Sequence, residues 1–226
     1  DCYVALEDNH AAMQTMRTLL DQGNTQYTER VLDVYSRMSY DMGEYENAAE
    51  AYRKLYDISH DAKRREVVSE GYVDATLKFA DGAELKRMAD DVATMSDAST
   101  WARRRAKLSK ADVLRKEGER AMAIEIYTDL ASDKRNAEGA EAYYRLVEND
   151  FINGDYATAE ERVYALDRCC SEYWQARIFI VLGDVLVKTN NLFQARATFQ
   201  SIVDGYSVPD DGIIAQAKQR IASIGK

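Results

Sequence analysis

The residues able to do chemistry are few and scattered. His10 and His60 are the two histidines, and neither has a Cys, His or carboxylate partner at a metal-ligand spacing. Cys2, Cys169 and Cys170 form no ligand pattern either. A bridge between the adjacent Cys169 and Cys170 would be strained, so these cysteines read as small residues near a helix end. A Gly-rich phosphate loop, a nucleophile elbow and a Cys/His set for acyl transfer are all absent from the sequence. Carboxylates are plentiful, but Glu44, Glu46, Glu50, Asp150, Asp155, Glu160 and Glu161 fall on expected turns and outward faces, where they serve solvation. The basic run Arg103, Arg104, Arg105 and Lys107 would point in different directions around one helix, which fits a solvated face better than a phosphate clamp. The expectation is a chain without catalytic, metal-binding or cofactor-binding residues.

The bulk numbers narrow the classes further. A net charge of −9 disfavours general attraction to DNA, RNA or anionic lipid. No apolar run reaches the roughly 18 residues of a spanning helix, so direct membrane insertion is not expected. A single Pro in 226 residues fits nearly continuous helix. The chain opens with Asp1 rather than Met and carries no signal peptide, which reads as a processed product or a piece of something longer. Asp1 also precedes Cys2, which argues against a lipid anchor at that cysteine.

The elements that must position any site are legible as a repeat. In residues 176–206, Leu182 and Gly183 sit inside one helical pattern, Asn190 and Asn191 break it, and Leu192, Ala195, Phe199 and Ile202 share one face of a second helix. Gly183 opposite Ala195 would let the two helices approach closely. One such pair cannot bury its own apolar face, so copies are expected. Thirty-six residues earlier stand Val147, Gly154, Tyr156, Ala159, Val163 and Leu166. A further step back gives Ala111, Gly118, Arg120, Ala123, Tyr127 and Leu130. Ala75 with Leu85, Met88, Val92 and Met95 form the weakest copy, and Ser36, Gly43, Tyr45, Ala48, Tyr52 and Leu55 another. Ala12, Met16 and Leu19 match the second helix of a unit whose first helix is missing. The expected organisation is a half-repeat at 1–22, repeats at 25–59, 61–96, 99–134, 136–170 and 171–206, and a capping helix at 210–226 with Ile213, Ile214, Ala217, Ile221 and Ile224 inward. In the second unit Val67, Tyr72, Leu77 and Phe79 are the expected packed face.

The segments GEYENAAEAYRKL, GDYATAEERVYAL and NNLFQARATFQSI carry a pattern that resembles the tetratricopeptide repeat family over nearly the whole chain. The period is nearer 36 than the family's usual 34, and Pro209 is the one Pro near a unit end. The resemblance implies an all-α, right-handed superhelical solenoid of antiparallel helix pairs, acting as a non-catalytic protein or peptide-binding scaffold. Residues 171–206 are also similar to the C-terminal repeats of large multi-repeat proteins of Gram-negative envelopes. That implies the periplasm as first expectation and the cytoplasm as second.

In this family the concave surface is lined by the first helix of each pair, at positions two before and one and four after the small residue. Here these are Val34, Arg37 and Tyr40; Ser109, Asp112 and Arg115; Arg145, Glu148 and Phe151; and Val181, Asp184 and Val187. Family members that bind chaperone tails hold a peptide carboxylate with Lys and Asn, but Arg37, Asp112, Glu148 and Asp184 stand at the Asn position. That clamp is not expected. The candidate groove is Tyr144, Glu148, Phe151, Ile180, Asp184 and Val187, suited to an apolar segment carrying Lys or Arg. Packing of the same side chains against the next unit is the alternative. At the level of the whole protein, a docking or regulatory segment of a larger enzyme and a self-associating array, hence a homo-oligomer, also remain open.

Overall fold

A computed structural model describes residues 9–23, 25–167, 169 and 171–224, all helix and connecting turn. Cys2 and Cys170, and the expectations attached to them, lie outside the described residues. Among these residues the helices are α1 (Asn9–Asp21), α2 (Thr28–Asp41), α3 (Tyr45–Ile58), α4 (Ala62–Phe79), α5 (Gly82–Thr94), α6 (Thr100–Glu117), α7 (Arg120–Leu130), α8 (Ala137–Asn153), α9 (Tyr156–Tyr164), α10 (Glu172–Lys188), α11 (Leu192–Gly205) and α12 (Ile213–Ile224).

Two kinds of turn join them, each written in the local sequence. Between α2 and α3, α6 and α7, α8 and α9, and α10 and α11 the connection holds a residue of positive φ: Gly43, Gly118, Gly154 and Asn190. After three of these four, the next amide reaches back five residues, as Glu44 N–H to Ser39 O at 2.8 Å, Asp155 N–H to Asp150 O at 2.9 Å and Asn191 N–H to Leu186 O at 2.7 Å. These bonds satisfy carbonyls that a helix end would otherwise leave open. Four further turns end in an N-cap side chain. Asp61, Ser99, Asn136 and Ser171 each accept an amide hydrogen bond from the first turn of the helix they precede. Between α4 and α5, where the sequence has an extra residue, Asp81 and Glu84 close a capping box and no positive φ is needed.

The chain divides into two compact units, residues 1–118 and 119–226. The boundary falls inside the expected 99–134 repeat, between α6 and α7. In the first unit α3 packs on α2 and α4, α5 on α4 and α6, and α6 also on α4. In the second, α8 packs on α7, α9 and α10, and α12 on α10 and α11. The core is assembled from equivalent positions: Ser36, Ala75, Ala111, Val147 and Gly183 are all buried, as are Ala48, Met88, Ala123, Ala159 and Ala195 on the helices that follow them. Small side chains here let backbones approach, and larger ones such as Leu55, Tyr127 and Phe199 fill the space between.

Several expectations about individual positions need correction. Val67 is 67% exposed and Phe79 is also exposed, because α4 turns Val68, Tyr72, Ala75 and Thr76 inward, at spacings of four, three and one. Leu192 is exposed, leaving Ala195, Phe199 and Ile202 as the buried face of α11. Leu19 is 45% exposed, although Ala12 and Met16 on the same helix are buried. The nearest atoms to a Cβ built on Gly183 belong to the Phe199 ring, at 2.3 Å, rather than to Ala195. Arg103 does not serve a solvated face: its guanidinium donates to the carbonyls of Ser96 at 3.1 Å, Ala98 at 3.3 Å and Met95, tying α6 to the end of α5. Asp150 is buried rather than outward, with Arg162 Nε at 2.5 Å.

Candidate functional site

The candidate groove residues lie on α8 and α10, both within the second unit, and these two helices pack directly on each other. Tyr144, Glu148 and Phe151 recur at intervals of four and three on α8, and Ile180, Asp184 and Val187 do the same on α10, so each set shares a helix face. Tyr144 and Ile180 are buried, which makes them support rather than open wall. Val187 is 37% exposed, and Phe151 is half-buried with its ring 5.8 Å from that of Tyr156. Val181 and Ser109, expected at concave positions, are buried.

Tyr144 is the centre of the arrangement. Its hydroxyl donates to Glu148 Oε1 at 2.5 Å and accepts from Arg177 Nη2 at 2.6 Å. The Arg177 guanidinium carbon stands 4.6 Å from the centre of the Tyr144 ring, and that of Arg145 5.5 Å from it. Trp174 packs on the same ring at 5.6 Å and on Tyr173 at 4.9 Å, and Arg177 Nη1 donates to the Tyr173 hydroxyl at 3.2 Å. Burial, followed by the hydrogen bond to Glu148, raises the Tyr144 pKa against the opposing pull of Arg177, so the phenol stays neutral and donating. Arg145 bridges Glu141 at 3.4 Å and Glu148 at 3.3 Å. Arg177, Arg145 and Glu148 therefore meet at Tyr144, and Glu141 holds Arg145, so two guanidiniums stand with two carboxylates.

Asp184 is engaged too. Both of its oxygens lie near Arg220 Nε, at 2.8 and 3.0 Å, an ion pair from α10 to α12 across 36 residues. The two carboxylates expected to attract a basic partner thus have cations within the same unit. The structure places Tyr144, Glu148, Ile180 and Asp184 within networks or core, and leaves Phe151 and Val187 partly accessible.

Trp174, Tyr173 and Arg177 did not emerge as site residues from the sequence. Arg177 has no local signal, since its partner Tyr144 lies 33 residues away.

No protein-family model matches the chain, and no curated protein does. Among solved structures it is similar to the crystal structure of BtubC (BKLC) from P. vanneervenii, at 14% identity and a TM-score of 0.46, over 97% of this chain and 90% of that one. A likeness at that level carries no argument about what this chain does.

Many polar contacts elsewhere span a similar distance along the chain. Examples are Arg64 to Glu29 at 2.9 Å, Arg65 to Asp97 at 2.9 Å, Lys86 to Glu117 at 2.7 Å and Ser207 Oγ to Glu172 at 2.7 Å, with separations of 31 to 35 residues. Exposed pairs of this kind add little each, about 0 to 1 kcal/mol.

Proposed function

We propose that this chain is a non-catalytic protein-binding scaffold, built as a tetratricopeptide-like array of antiparallel helix pairs with a right-handed superhelical course. The observation that carries the reading is the wall of Tyr144, Tyr173, Trp174 and Arg177 on α8 and α10. Interface hot spots are rich in Tyr, Trp and Arg, and ordering such side chains beforehand lowers the entropy lost on binding. Here the hydrogen bonds from Arg177 to both phenols and the ring contacts of Trp174 fix the cluster in place, while Tyr173 and Trp174 keep part of their surface in solvent. Phe151 and Val187 extend the apolar contact along the same helices. Because Glu148 and Asp184 have cations of their own, this wall offers shape and aromatic area more than charge.

A photocrosslinking residue in place of Val187 should give a discrete adduct with one partner protein in the source cell. Phe151→Ala, with helicity unchanged, should weaken that partner's binding at least about tenfold, the equivalent of about 1.4 kcal/mol. Adducts as diffuse as those from Phe193, which is exposed on α11, would remove the site from α8 and α10.

A further inference from the structure

In the first unit a second surface opens where α2, α4 and α6 present side chains to a common cleft of about 610 Å³. Its floor is the Tyr52 ring, seated against the backbone of Gly71, where a Cβ would come within 2.7 Å of the ring. Val67, the most exposed aliphatic residue of α4, stands on one side and the half-buried Trp101 of α6 borders the same space. Apolar area of this kind is what a partner's aliphatic side chain would cover.

The charged groups lining the cleft are Asp33, Arg37, Glu70 and Asp74. Arg37 is bound to Asp33, through both its carboxylate and its backbone carbonyl at 3.1 Å. Glu70 and Asp74 are one helical turn apart on α4, and neither has a cation partner among the described residues. Asp74 accepts a hydrogen bond from the Tyr40 hydroxyl instead, and that bond, with burial, moves the Tyr40 pKa up to about 12. A neutral phenol leaves the carboxylate's charge in place. Three carboxylates thus face one guanidinium beside exposed apolar surface, and like charges at a spacing of four residues lower the stability of an isolated helix. A cation from outside relieves that repulsion.

We propose that the α2–α4–α6 cleft docks a protein segment that pairs Lys or Arg with an aliphatic residue, the basic group meeting Glu70 and Asp74 and the aliphatic one meeting Val67. The proposal rests on the scaffold reading above but uses a different surface, so the two can fail separately. It also moves the basic preference from α8 and α10, where the carboxylates have partners, to α4, where they do not.

The test uses the full chain and three labelled peptides: an amphipathic helix of Lys and Leu, its Glu–Leu counterpart, and a Lys–Ser peptide without apolar residues. By fluorescence anisotropy the Lys–Leu peptide should bind and the other two should not, with affinity falling as salt rises from about 0.05 to 0.5 M. The double variant Glu70→Gln/Asp74→Asn, which keeps an acceptor for Tyr40, should weaken binding at least about tenfold, and Val67→Ser should weaken it as well. Phe151→Ala should leave peptide binding intact. Equal binding by both α4 variants and the parent would overturn the proposal, as would a Lys–Ser peptide that binds as tightly as Lys–Leu. Peptide binding lost in Phe151→Ala but kept in the α4 variants would return the basic preference to α8 and α10. A concentration-dependent dimer abolished by Val67→Ser, with no peptide bound, would give the cleft to a second copy of the chain.

Discussion

Gly183 shows how one residue can set the distance between two helices. Its missing side chain is where the buried Phe199 ring lies, and a Cβ there would meet three ring carbons between 2.3 and 2.9 Å. The ring cannot swing away freely because it is fully buried. Gly183→Ala should therefore cost about 1 to 3 kcal/mol through overpacking, offset in small part by the better helix propensity of Ala. Urea unfolding checks this, and Phe199→Leu in the same background should recover part of the loss if the clash is with the ring. Gly71 faces Tyr52 in the same way in the first unit, but that ring is only half-buried and has more freedom to shift.

At the scale of elements, the left-handed turns decide where one helix of a pair stops and the next begins. Gly154 has φ +83° and open space around its absent Cβ, so a substitution there meets backbone strain and no steric contact. Gly154→Ala should cost about 1 to 2 kcal/mol for placing an L side chain in that region. Asn190 occupies the equivalent conformation between α10 and α11 at φ 62°. Asn190→Gly should be neutral or slightly stabilising by the same measure, since Asn enters this region more readily than other non-glycine residues but less readily than Gly. A shifted midpoint for the first variant with an unshifted one for the second, in thermal or urea melts, is the expected pair of results.

For the molecule as a whole, each of the two units is held by packing between helices that are neighbours in the chain. Within the second unit α12 buries Ile213 and Ala217 on α10 and α11, and holds Asp184 through Arg220. In chains of this kind, removing an end should loosen its nearest neighbours most and more distant helices progressively less. Deleting residues 210–226 should accelerate amide exchange strongly in α10 and α11 and least in α7. A uniform acceleration across α7 to α11 would show instead that these helices open in one cooperative step.

The sequence by itself determined the helical class, the position of most turns and most of the residues of the second helices that go inward. Those features depend on local preferences: positive φ at Gly and Asn, capping by Asp, Ser and Asn, and the 3.6-residue period that brings Ala195, Phe199 and Ile202 to one face. It misjudged Val67, Phe79, Leu19 and Leu192, because apolar character alone does not say whether a neighbouring helix reaches a given side chain. Only the tertiary structure decided the electrostatics of the candidate sites. Glu148 and Asp184 resembled an open acidic groove until Arg145 and Arg220 were seen beside them, and Glu70 and Asp74, which the sequence did not single out, share a cleft with Val67 and Trp101. A carboxylate's availability depends on cations and cavities brought close by packing between helices, and for Asp184 the deciding cation lies 36 residues away along the chain.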